Sequence, residues 1–171
     1  SSRLVPVYNL NQVTISEQFA PLIGINIRTK TNLTTRLDYK KARDLSLNFS
    51  NAQVTETTNN DVTVDFGFTK EKFKLPFKIR GRTISLENDL TFRASLTFRD
   101  SETIQRKLDG ENVITNGTTS YQFRPSFTYK LNKSLDLTGY FERSVTEPKQ
   151  SSSFKTANTA FGVQLRFALA Q

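Results

Sequence analysis

The sequence predicts an all-β fold: antiparallel transmembrane β-barrel strands, about eight or nine of them, forming part of a larger barrel. Three observations predict it. Apolar and polar residues alternate with a period of two along almost the whole chain. The runs Leu90–Arg99, Tyr121–Lys130 and Phe161–Gln171 keep that alternation at the ~9–11 residues that cross a bilayer, where sandwich strands average ~5–6. Their polar positions include mid-strand arginines, each of which would cost ~2–4 kcal/mol against lipid. The two faces must therefore meet different surroundings.

Taken in order, a weaker strand lies around Val5 to Ile15, and Ile23, Ile25 and Ile27 then alternate with Gly24, Asn26 and Arg28. Leu33, Leu37 and Tyr39 oppose Thr34, Arg36, Asp38 and Lys40, and Leu45, Leu47 and Phe49 oppose Ser46, Asn48 and Ser50. Val62, Val64, Phe66 and Phe68 stand against Thr63, Asp65 and Gly67. Leu90, Phe92, Ala94, Leu96 and Phe98 face away from Thr91, Arg93, Ser95, Thr97 and Arg99. Tyr121, Phe123, Phe127 and Tyr129 oppose Gln122, Arg124, Ser126, Thr128 and Lys130. Leu135, Leu137 and Phe141 mark a further strand, and Phe161, Val163, Leu165, Phe167 and Leu169 run against Gln164 and Arg166.

Short turns are expected at Lys30–Asn32, Lys41–Asp44 and Leu131–Lys133. Longer connections are expected at Asn51–Asn60, Lys70–Asn88, Asp100–Thr119 and Thr146–Ser153, with Asp109-Gly110, Asn116-Gly117 and Pro148 as turn residues. Outer-membrane barrels have short periplasmic turns and longer outer loops. With a periplasmic C-terminus, Thr146–Ser153, Asp100–Thr119 and Asn51–Asn60 fall outside, and Leu131–Lys133 and Lys41–Asp44 fall in the periplasm. Lys70–Asn88 breaks the rule, being long, basic and periplasmic by count. It reads as a structured insertion anchored by Phe73, Pro76 and Phe77, because Pro76 lacks a ladder donor. No separate domain is expected within residues 1–171.

Composition narrows the chemistry. The 171 residues hold no Cys, His, Met or Trp, which excludes disulfides, Cys/His zinc sites and Cys- or His-based nucleophile systems. Phe is frequent at 14 copies, against 7 Gly and 5 Pro. The net charge of +8 suits a nucleic-acid binder or a water-facing barrel lining equally. An RNA-binding sheet, however, would put aromatic and basic side chains on one face, whereas Phe92 and Phe98 alternate with Arg93 and Arg99. No nucleic acid is expected. The chain opens Ser1-Ser2-Arg3-Leu4-Val5-Pro6, without the basic and apolar regions of a signal peptide, and no apolar run is long enough for a membrane helix.

The carboxylates could be paired for catalysis, as Asp38 with Asp65, or Glu142 with a neighbour. Sixteen acids spread among turns and basic residues read better as ion pairs along a wetted wall. No enzyme activity, cofactor or metal is expected. Lys70, Lys72, Lys74 and Lys78 around Phe73 and Phe77 read as a solvated connection. The expected water- or lumen-facing residues are Arg36, Asp38, Lys40, Arg93, Arg99, Arg124, Lys130 and Arg166. The expected lipid-facing ones are Ile25, Leu37, Phe66, Phe92, Leu96, Phe98, Phe123, Phe127, Val163, Leu165 and Phe167.

Gly162-Val-Gln-Leu-Arg-Phe167 resembles the closing-strand signal of bacterial outer-membrane proteins, although the chain ends at Ala170-Gln171 rather than an aromatic. Longer strings resemble the C-terminal end of the SprA/Sov family, the outer-membrane translocon of the Bacteroidetes type IX secretion system. They are Phe19-Ala-Pro-Leu-Ile-Gly-Ile-Asn-Ile-Arg-Thr-Lys30, Arg36-Leu-Asp-Tyr-Lys-Lys-Ala-Arg43 and Leu47-Asn-Phe-Ser-Asn-Ala-Gln-Val-Thr-Glu56. Phe73-Lys-Leu-Pro-Phe77, Thr103-Ile-Gln-Arg-Lys107, Gln122-Phe-Arg-Pro125 and Tyr140-Phe-Glu-Arg143 continue the likeness. The resemblance implies a very large single-chain barrel through which folded cargo bearing a type IX signal reaches the cell surface. It also implies a PorV-type shuttle protein, a periplasmic plug protein and a link to gliding motility through secreted adhesins. The chain would then supply the last eight or nine strands of a protein-conducting wall. The alternatives from the residues themselves are a self-contained eight-stranded barrel and a soluble β-rich binding module.

Overall fold

A computed structural model describes residues 10–50, 52–79, 82–107, 110–132, 134–150 and 152–168. Seven strands form one antiparallel sheet in chain order: β1 Gln12–Arg28, β2 Leu33–Asn48, β3 Gln53–Ile79, β4 Arg82–Lys107, β5 Val113–Asn132, β6 Leu135–Pro148 and β7 Thr156–Phe167. Each strand touches only its sequence neighbours, so β1 and β7 do not meet and the sheet stays open. With seven antiparallel strands, β1 and β7 run in the same direction.

The strand count differs from the expected eight or nine because the strands are longer than their apolar runs. The stretch around Val5–Ile15 and the Ile23–Ile27 run do not form two strands. Gln12–Ile15 belong to β1 with the isoleucines, and residues 5–9 lie outside the described residues. Lys41–Asp44 is no turn; it lies inside β2, in unbroken register with Asn60–Thr57 of β3. Most of Asn51–Asn60 and of Asp100–Thr119 is strand as well. The apolar period stops in these places because cross-strand polar pairs take over the ladder. Arg43 of β2, for example, bonds Glu56 of β3 at 2.7 Å.

Lys70–Asn88 is likewise not an insertion. It is the hairpin of β3 and β4, which runs past the rest of the sheet as a two-stranded ribbon paired from Phe73–Asn88 to Ile79–Arg82. Two physical reasons explain the error. A β-bulge between Lys70 and Phe73, with Lys72 at φ 50°, shifts the register by one residue. The apolar parity therefore passes from even positions (Val62, Val64, Phe66, Phe68) to odd ones beginning at Phe73. Pro76 sits within β3, opposite Ser85. Beyond Thr69, whose N–H bonds the Asn32 carbonyl at 3.2 Å, β3 has no ladder partner on its β2 side among the described residues, and a strand with one free edge tolerates proline. The ribbon's root is pinned where Tyr129 Oη donates to the Phe73 carbonyl at 3.3 Å and Asn88 Nδ2 to the Leu131 carbonyl at 3.1 Å.

The β1–β2 connection, residues 29–32, lies on the side of the β7 end, and β2, β4 and β6 end on the other side. The expected Lys30–Asn32 turn falls on that first side, where Asn32 takes φ 58°; of the expected Leu131–Lys133 turn, Leu131 and Asn132 instead end β5, and Lys133 lies outside the described residues.

Candidate functional site

The sheet has two chemically opposite faces. Register places Ile25, Leu37, Phe66, Phe92, Leu96, Phe98, Phe123, Phe127, Val163, Leu165 and Phe167 on one face, because antiparallel partners share a side. Arg36, Asp38, Lys40, Arg93, Arg99, Arg124, Lys130 and Arg166 all stand on the other.

The apolar face carries a band of limited height. On β4 it runs from Leu90 to Phe98 and on β5 from Tyr121 to Tyr129, roughly 27 Å along the strand at ~3.4 Å per residue. Towards the 49–52 side, Lys41, Asn60, Asp100 and Thr119 follow on the same face. Within the band Phe66, Phe92 and Phe127 form a run of ring contacts, with centroids 5.9 and 4.8 Å apart. Tyrosines mark its rims. Tyr39 Oη donates to Asn60 Oδ1 at 3.3 Å, and the Tyr121 ring lies 5.1 Å from that of Phe98. Period-two reading placed Tyr39 and Tyr129 on this face without revealing that their hydroxyls reach past the band.

Nothing in the described structure covers that band. The chain exposes 13,483 Å², whereas a globular chain of 19.5 kDa would expose about 8,500 Å². Among the described residues Tyr129 is the one buried hydrophobic side chain, while Val163 is 74% and Leu165 64% exposed. This is a wall one layer thick, with no core of its own.

The polar face is knitted by pairs across neighbouring strands. Arg99 bonds both oxygens of Asp61, at 2.9 and 3.2 Å. Ser95 Oγ donates to Asp65 Oδ1 at 2.6 Å, and within β2 Arg36 bonds Asp38 at 2.7 Å. Arg124 and Gln122 both donate to Glu142 Oε1, at 3.0 and 2.9 Å. Each carboxylate weighed for catalysis (Asp38, Asp65 and Glu142) is thus engaged by a neighbouring donor. Thr57–Thr103, Thr69–Thr91 and Thr128–Thr138 add hydroxyl pairs at 3.1, 3.3 and 3.0 Å. Tyr140 packs against Gly162 of β7, where a Cβ would stand 2.6–2.8 Å from its ring and hydroxyl.

Two clusters escaped sequence reading because their members are far apart in the chain. Beyond the band on its own face, Glu56 is 7% exposed beneath Arg43 at 2.7 Å and Arg106 at 2.6 Å. Nearby, Lys149 bonds Asp100 at 2.9 Å and Glu102 at 2.6 Å, fastening the β6–β7 connection to β4. Hydrogen bonds from Arg43 and then Arg106 hold the Glu56 carboxyl below the usual carboxylate range, against the opposing effect of burial. A depressed folded pKa contributes stability above the unfolded value and loses it as pH falls through the folded one. Glu56→Gln should therefore loosen the β2–β3–β4 contact at pH 7 by about 1 kcal/mol, since both arginines are part-exposed. That difference from wild type should shrink as the pH falls below the unfolded carboxylate range and through the depressed folded value. Amide hydrogen exchange at residues 43–47 and 54–58 is the check; a difference independent of pH would reject the assignment.

No family model matches the sequence, and no curated protein matches it.

Proposed function

We propose that this chain is a wall segment of an outer-membrane β-barrel that conducts proteins, with the apolar band against lipid and the polar face lining a water-filled passage. The observation that carries this reading is the coreless single layer with one banded apolar face. In water such a face aggregates or needs a second layer, while in a bilayer it is the surface a barrel presents. The band's length, roughly 20–27 Å depending on strand tilt, suits the ~25 Å band of outer-membrane barrels, and tyrosines at its rims suit their aromatic girdles.

The open edges favour a piece of a larger barrel over a small closed one. Seven strands are fewer than the eight of the smallest such barrels, and closing them would join β1 to β7 in parallel, against the antiparallel rule of that class. The strings shared with the SprA/Sov translocons point to the type IX machinery. On that reading folded cargo with a type IX signal passes along the polar face to a PorV-type shuttle, a plug closes the periplasmic side, and gliding adhesins are among the cargo. The wall supplies a hydrated path and its partners supply direction. The side of the sheet that carries the β1–β2 connection at 29–32 and the end of β7 faces the periplasm.

The chain has no cysteine, so single cysteines test this cleanly in membranes holding the chain in its own assembly. A small water-soluble maleimide should label positions 93, 124 and 166 and spare 92, 127 and 165. A maleimide carried on a small folded protein should still reach position 124. Equal labelling of both sets would remove the barrel. Labelling of position 124 by the small reagent alone would leave a narrow, side-chain-filled barrel instead of a conduit.

A further inference from the structure

The polar face contains one basic hollow that the ion-pair network leaves open. Arg93 stands directly opposite Gly67 of β3, over whose backbone the Thr34 hydroxyl packs, 2.6 Å from where a Cβ would stand, and beside them lies a hollow of about 340 Å³ lined by Arg36, Asp65, Gly67, Arg93, Ser95 and Arg124 among others. The neighbouring charges are occupied. Arg36 is held by Asp38 at 2.7 Å, Arg124 by Glu142 at 3.0 Å, and Asp65 accepts from Ser95 at 2.6 Å. Among the described residues no carboxylate lies within ion-pair distance of the Arg93 guanidinium. Arg99, three rows along the same strand, instead grips Asp61 with two nitrogens.

Arg93 also lines two adjoining hollows. One, of about 310 Å³, includes Arg28 together with Glu71 and Asp89; the other, of about 440 Å³, includes Lys130 and Arg166 together with Asp136. The three together make a shallow trough across β1 to β7 with Arg93 where they meet. Thr34, Thr69, Thr91, Thr128 and Thr138 supply neutral hydroxyls along it. A guanidinium is a rigid fork matched to two oxygens of one anion. An isolated small oxyanion is best held in an enclosed cage. An open trough with a central fork and hydroxyl walls suits an extended chain that brings several carboxylates and its own backbone groups.

We infer that the Arg93 trough binds the carboxylates of an acidic peptide segment lying across the polar face. The inference rests on the sheet's register and side-chain contacts, and it holds whether or not the opposite face meets lipid. Arg93 grips the carboxylate, and Arg36 and Arg124 raise the local positive potential while keeping their own partners.

The test uses the chain in its own assembly, extracted in neutral detergent, with a fluorescent hexaglutamate peptide followed by anisotropy at low salt. Arg93→Gln should weaken binding by about tenfold, the loss of one charge-assisted contact, and Arg93→Lys should fall between it and wild type. Arg99→Gln, which removes an arginine already paired, should bind as wild type does. Inorganic phosphate should displace the peptide only at far higher concentration. Equal losses in the Arg93 and Arg99 variants would mean attraction to net charge, and would overturn the site. Displacement by phosphate at matching concentration would overturn the peptide assignment. Failure of the sided labelling described above, with Arg93-dependent binding intact, would remove the membrane reading and leave this one standing.

Discussion

Leu96→Arg is expected to cost the assembled protein about 2–4 kcal/mol, and Thr97→Arg beside it close to nothing. Leu96 stands within the apolar band, between Val64 and Phe123 in register, and is 48% exposed. Little packing is lost when it is replaced, so the penalty isolates what surrounds the face. Against water an arginine there would fall within the ~0.5 kcal/mol range of ordinary surface substitutions. Against hydrocarbon the charge must be dragged to an interface or left unsolvated. Thr97 lies on the opposite face, in the row of Thr63 and Gln122, where a further arginine joins a surface already holding Arg93 and Arg99. The denaturation midpoint and yield of the extracted assembly decide the matter. Two equally tolerated arginines would place water on both faces.

The second expectation is that this chain, refolded alone into lipid vesicles, gives no stable monomeric pore. The outer edges of β1, 17 residues long, and β7, 12 residues long, have no partner strand among the described residues. About half the backbone groups of an edge strand point outwards, and each one left unpaired in hydrocarbon costs several kcal/mol. Self-closure would relieve that only through a parallel seam between β1 and β7. A closed all-antiparallel wall instead needs an odd number of further strands between those edges. Refolding should therefore yield aggregates or no large conductance. A monodisperse monomer in detergent, with slow amide exchange along both β1 and β7, would show a closed ladder and restore the small barrel.

The sequence alone determined which way each side chain in the apolar runs faces, because alternation is a local property of extended backbone and within those runs the apolar residues share one face. Leu90–Phe98 and Tyr121–Tyr129 could be divided into two faces without knowing any neighbour. The register of β2, β3 and β4 then brings those divisions together, so that Leu37, Val64, Leu96 and Phe123 form one row and Arg36, Asp65, Ser95 and Arg124 another. The ends of the strands were decided only by tertiary structure. Beyond the band the ladder rests on pairs such as Arg43 with Glu56 and Arg106 with Glu56, separated by 13 and 50 residues. No period along the chain announces such a pair, so Lys41–Asp44 read as a turn and Asn51–Asn60 as a loop. The bulge at Glu71–Lys72 moved the apolar parity by one residue, and Pro76 found an edge where its missing donor costs the β2 side nothing. Both are properties of which strand lies beside which. For the same reason the Arg93 hollow could not be read in advance: its lining comes from β2, β3, β4 and β5, which only the ladder brings together.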